Sequence, residues 1–324
     1  MRVAIMTSTD ELAASGAGTV SPRRPLGAAR PRYGEQAIKA ALALCGAFSV
    51  LITVGIVLSL AFGTIDFFRE VPVWDFLFGT HWAPSFADAH FGVLPIVVGT
   101  LNIVFWALVV SIPVGLASAI FLSEYAPARL RRTIKPMLEM LEGIPTVAIG
   151  LFALYFLRPL LADALPFLNW QGVHSVGVAG VAVGLLIVPL VASVADDAMR
   201  AVPRGLREGA YALGARKVQV SVRVVVPAAV SGIIAGFVLA VSRAIGETMV
   251  VLMAAGARAQ ISIDPTTGMR TMTGHIGISA TGDLPTGTIG YYTLFAVGAL
   301  LFVMTLVMNM FAIRLVRRFR EVYE

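Results

Sequence analysis

The chain has 324 residues, 57% of them hydrophobic and 14% charged, with a formal net charge of +6. A soluble globular domain carries about a quarter charged residues, so these proportions exclude one and indicate a bilayer. A lone cysteine, Cys45, excludes an intrachain disulfide and a cysteine-based metal cluster.

Residues 1–36 are rich in Ala, Pro, Arg, Ser and Gly without apolar periodicity and read as a disordered basic tail. Six apolar segments follow, near 37–63, 94–122, 137–157, 173–196, 228–256 and 289–313. Each can cross about 30 Å of hydrocarbon as a helix. None alternates with period two, which favours helices over barrel strands and predicts an all-α, six-span domain over 37–320. The first run is too long for a signal-peptide core and is expected to be an uncleaved span. Lys and Arg number six up to Lys39, four in 123–136, six in 199–226 and four after 313. The intervening stretches hold only Arg69, Arg158, Arg258 and Arg270. By the positive-inside rule both termini and the basic loops are cytoplasmic, so the charge reports topology and predicts no nucleic-acid surface. One basic residue, Arg243, is left inside a span.

The long outer segments are 64–93 and 257–288. The first carries Trp74, Trp82, Phe86 and Phe91, and its tryptophans are expected to be interfacial anchors. His81, His90, His174 and His275 all lie on the outer side, match no zinc spacing, and read as solvated histidines. Glu139 and Glu142 follow Pro136 at the start of the third span, where acidic residues suit a helix N-terminus. Asp196 and Asp197 end the fourth span and need a basic neighbour, with Arg200 the local candidate.

Loop 199–226 carries a predicted helix over 204–213, ended by Gly214. Leu206, Ala210 and Leu213 share one of its faces, too little apolar surface for a domain but enough to dock in a partner's groove or lie on lipid. Further on, "SRAIGETM" sets Arg243 and Glu247 four apart around Gly246, a spacing that predicts one shared helix face. An unpaired charge at that depth costs about 3 kcal/mol, so a partner or a wet cavity is required. Two readings stay open, an ion pair locking two subunits and a guanidinium facing a solute path.

Glu208, Ala210, Gly214 and Pro227, with Val224 and Val226, resemble the EAA loop of ABC-importer permeases, with Gly209 replacing the usual Ala. "HWAPSFADAHFGVLPIVVGTL" at 81–101, "EGIPTVAIG" at 142–150, "DDAMRAVPRGLREGAYALGA" at 196–215 and "SRAIGET" are similar to the phosphate-specific (Pst) permeases of the PstC type. Departures are Thr146 for Ser, Ile149 for an aromatic residue and Glu142 for a small one.

The resemblance implies a type I ABC-importer permease fold in the cell membrane and half of a phosphate path. It also implies coupling to an ATPase through Arg207, Glu208, Ala210, Leu213, Gly214 and Pro227. The path residues expected are Arg243, Glu247, Ser242, Thr248 and Thr146, with Arg243 offering donors to phosphate and Glu247 orienting it. Implied partners are a homologous PstA-type permease, a PstB-type ATPase dimer and an extracytoplasmic PstS-type phosphate-binding protein. The chain has no Walker loop, metal-binding His-Glu pair or Gly-x-Ser-x-Gly turn, so it is expected to be no enzyme and to bind no cofactor, with ATP and Mg used by the partner. A permease for sulfate or molybdate and a self-sufficient ion-coupled carrier are the alternatives.

Overall fold

The computed structural model describes residues 33–319 except 87, 171 and 283. The predicted tail lies outside these residues up to position 32, and its last four positions instead open the first helix, α1 (Tyr33–Glu70). The part of α1 up to Ile56 forms a unit of its own, with every side chain from 35 to 56 exposed. Its Ile, Leu, Val and Phe side chains suit a hydrocarbon solvent.

The second unit starts at Val57. After the end of α1 come α2 (Val73–Phe78), a hairpin of two-residue strands β1 (Trp82–Ala83) and β2 (His90–Phe91), and α3 (Leu94–Ile120). A wider π turn extends α3 to Tyr125. Then follow α4 (Ala128–Leu141), α5 (Thr146–Phe152), a second π turn and α6 (Arg158–Ala164). Next are α7 (Val176–Ala201), α8 (Arg204–Ala212), α9 (Lys217–Val220), a third π turn, α10 (Val226–Ala228) and α11 (Val230–Gly246). The short α12 (Met249–Ala254) and α13 (Met272–Thr281) precede α14 (Ile289–Phe319). Among the described residues five helices are long and apolar enough to cross a membrane, or six when the bent pair 217–228 and 230–246 counts as one.

Glycine sets the central contact. A Cβ on Gly180 would sit 2.5 Å from Trp106 Cβ, and one on Gly184 would sit 2.7 Å from the Ala107 carbonyl oxygen. Only hydrogen at these two positions lets α7 lie directly on the α3 backbone, the close approach that small residues allow in lipid. Ile103, Ala107, Ala179, Val183 and Ile187 fill the buried seam on either side.

Two predicted spans are interrupted. The apolar run 137–157 is broken at 142–145, and the crossing helix is the continuous stretch Thr146–Ala164. Pro145 pushes Ile144 away from helical conformation, which separates α4 as an element of its own. Glu139 and Glu142 therefore close α4 rather than open a span. The fifth span bends by 71° around Ala229, after Pro227 has removed a backbone donor.

Trp82 and His275 also differ from expectation. Trp82 is buried among Phe67, Phe76 and Met272 instead of lying at an interface, while Trp74 is exposed. His275 is buried edge-on to Trp82, with Nε2 3.1 Å from Thr293 Oγ1. Burial, followed by the positive charge of Arg270, lowers its pKa to about 4, so this histidine is neutral at physiological pH.

Candidate functional site

Residues 242–249 contain a helix break at 247 and 248. α11 ends at Gly246, and Glu247 is extended with φ −64° and ψ 127°. Its carboxylate turns forward and accepts from the Val250 N–H (3.3 Å), while its carbonyl accepts from Thr273 Oγ1 (2.9 Å). Arg243 and Glu247 thus share no helix face, and the expected pair is replaced by another. Arg243 Nη1 lies 4.0 Å from Glu142 Oε2 at the α4–α5 break, the side chains being 31% and 30% exposed. That separation is an ion pair without a hydrogen bond. Among the described residues the guanidinium donates no hydrogen bond, so its planar fork of donors is uncommitted.

The other expected path residues divide. Ser242 donates to Asn309 Oδ1 (2.5 Å), fastening α11 to α14, which commits the hydroxyl to structure. Thr248 donates back to the Gly246 carbonyl (3.1 Å) inside the break. Thr146 opens α5 beside Pro145 and is half-buried. A Cβ on Gly150 would come within 3.1 Å of Met253 Cβ, so α5 and α12 pack closely and the two breaks meet. The sequence did not point to Glu142 as the neighbour of Arg243. The one local signal at Glu142 was a charge in place of the small residue usual in the resembling family.

At the basic end, α8 occupies 204–212 and Gly214 follows in the left-handed region at φ +79°, matching the predicted stop. Arg207 points inward. Its Nη1 donates to the Val202 carbonyl (2.7 Å), its Nη2 to the Met199 carbonyl (2.8 Å), and its Nη2 and Nε to Glu124 Oε1 (3.0 and 3.3 Å). The Glu124 side chain is 6% exposed. One guanidinium therefore ties α8 to the ends of both α3 and α7. Ala210 packs half-buried on the cluster of Met199, Val220 and Val225, and Pro227 sits in α10. Glu208 is exposed, and Leu213, an apolar side chain 90% exposed, is turned away from the protein.

Asp196 and Asp197 are partnered from α4, not by Arg200. Arg131 Nη2 lies 2.5 Å from Asp196 Oδ2, and Lys135 bonds Asp197. These pairs pin α4 to α7. A Cβ on Gly209 would meet nothing within 4 Å, so Gly209→Ala should stabilise α8 by about 0.5–1 kcal/mol without altering transport. Thermal unfolding of the purified complex, alongside uptake, checks this.

Residues 111–321 match the family described as "Binding-protein-dependent transport system inner membrane component". The chain is 33% identical over 231 residues to the probable ABC transporter permease protein YqgH of Bacillus subtilis, covering 71% of this chain and 74% of that protein. It is 34% identical over 251 residues to the phosphate transport system permease protein PstC 1 of Mycobacterium tuberculosis, covering 71% and 73%. A chain of a bacterial alginate ABC transporter, solved with an alginate pentasaccharide-bound periplasmic protein, superposes with a TM-score of 0.62. That match is 16% identical and covers 88% of this chain and 96% of that chain, a likeness of fold.

Proposed function

The chain belongs to the binding-protein-dependent transport system inner membrane component family, and from that premise we propose that it forms half of the translocation path of an ATP-driven phosphate importer. Identity above 30% with relatives named phosphate transport permeases, over more than two thirds of their length, carries this reading. It works as a non-catalytic permease subunit in a multi-pass membrane setting. Hydrolysis comes from a separate ATPase of the PstB type, phosphate from an extracytoplasmic PstS-type protein, and the other half of the path from a PstA-type permease. Both termini lie in the cytoplasm, as the distribution of Lys and Arg supports.

In this reading Arg243 offers its unoccupied donors to a phosphate oxygen midway along the path. The role first expected of Glu247 passes to Glu142, the carboxylate that faces the guanidinium at 4.0 Å. A counter-ion at that separation holds Arg243 in place and is displaceable, which keeps the anion's residence short enough for release. Closure of the ATPase pushes on α8, Glu208 included, and on Leu213 just beyond it, and Arg207 passes the push to α3 and α7.

The test is uptake of labelled phosphate by the reconstituted four-component complex, with sulfate and molybdate as competitors. Uptake should require ATP and resist a tenfold excess of either competitor. Strong competition by either would reassign the substrate. Phosphate movement by this chain alone under an ion gradient would replace the importer reading with that of a carrier.

A further inference from the structure

Two open cavities of about 510 Å³ each lie at the end of the spans that carries the basic loops, and Arg131 and Arg200 line both. One extends past Arg204 and Arg207 to Glu208, the other past Arg132 and Lys135 to Glu139. Together they make a trough between α4, the end of α7 and α8. Half of its basic side chains are engaged, since Arg131 and Lys135 serve Asp196 and Asp197 and Arg207 serves Glu124. Arg132, Arg200 and Arg204 have no ion pair or hydrogen bond among the described residues. The unpaired carboxylates on the wall are Glu139 and Glu208, both exposed, so the uncommitted charge is positive by one.

The depth of the trough follows from α4. This helix has no buried residue, and its Arg129, Arg131, Arg132 and Lys135 make it too charged to cross lipid. Leu130, Met137, Met140 and Leu141 are nevertheless exposed on it. Its basic half, Arg129 to Lys135, is tied to Asp196 and Asp197 near the end of α7, which sets this half at the boundary between headgroups and acyl chains. The trough therefore opens where lipid phosphates are.

We propose that this trough is a binding site for the phosphate group of an anionic phospholipid, held by Arg132, Arg200 and Arg204. Guanidinium forks match phosphate oxygens, and basic pockets beside membrane helices suit anionic headgroups. Inorganic phosphate presents the same oxygens. The exposed apolar side chains of α4 favour the lipid, because acyl chains cover them and a free ion does not.

The experiment uses the assembled complex in nanodiscs of phosphatidylcholine with or without phosphatidylglycerol. Lipid retained on the complex is read by native mass spectrometry, and unfolding temperature is read in parallel. Phosphatidylglycerol should be retained by the native chain and raise its unfolding temperature. In a variant carrying Arg132→Gln, Arg200→Gln and Arg204→Gln, which spares every ion pair named above, its affinity should fall about a hundredfold. Arg200→Gln alone should lower it about fivefold, which keeps the test decisive if the triple variant does not assemble. Equal retention by native and variant complexes overturns the site. A shift produced by inorganic phosphate in phosphatidylcholine discs, lost in the variant and not reproduced by phosphatidylglycerol, overturns the lipid assignment.

Discussion

Arg243→Gln should lower phosphate uptake at least about a hundredfold, a loss of roughly 2.7 kcal/mol at the path, while the complex still assembles and hydrolyses ATP. Glutamine keeps a polar side chain but loses the charge and the paired donors, so what it removes is the guanidinium's interaction with an anion. That guanidinium has no hydrogen bond to lose within the chain, and its one ion pair, with Glu142, is long at 4.0 Å. The fold should therefore tolerate the change. Glu142→Gln separates the two roles, since it leaves the guanidinium in place and removes only its counter-ion, so uptake should fall by much less than in Arg243→Gln. If Arg243→Gln instead prevents the permease subunits from co-purifying, the arginine is a lock between them and the phosphate contact is refuted.

Arg207→Ala should separate hydrolysis from transport. It removes the four hydrogen bonds that join α8 to Glu124, Met199 and Val202. Glu124, only 6% exposed, is left without its partner at a cost of about 3 kcal/mol. ATP hydrolysis by the reconstituted complex should continue while phosphate moved per ATP falls about tenfold or more. Arg207→Lys restores the charge without the fork, so it should recover stability more than coupling. An unchanged ratio of phosphate to ATP in Arg207→Ala would mean that α8 transmits force by another route.

The apolar segments were readable because crossing hydrocarbon demands about twenty consecutive apolar residues, a requirement local to each segment, although the third and fifth crossings run over 146–164 and 217–246 instead of 137–157 and 228–256. Helix α8 was readable for a similar reason, as Pro203 and Gly214 delimit it in sequence and in the structure alike. The break after Gly246 was not. Nothing in Ala244 to Met249 forbids a helix, and the interruption is held by contacts from elsewhere, such as Thr273 on the Glu247 carbonyl. The interruption at 142–145 did carry a signal in Pro145, which the apolar residues on either side concealed. Arg207 was expected among the coupling residues, but its inward direction depends on Glu124, more than eighty positions earlier. The pairing of Asp196 with Arg131 spans a similar gap, which is why the nearer Arg200 was the wrong expectation.

The glycine seam between α3 and α7 bears on how the chain is made. Gly180 and Gly184 reach the membrane only after α3 and the whole of α4, α5 and α6 have been synthesised. Until then α3 must wait in lipid with its future contact surface bare. That surface is Ile103, Trp106, Ala107 and Val110, which bilayer chains solvate as well as a helix does. The intermediate therefore presents a mainly apolar surface to lipid on this side. Pairing can be delayed through translation and completed by diffusion in the plane of the membrane once α7 has been released.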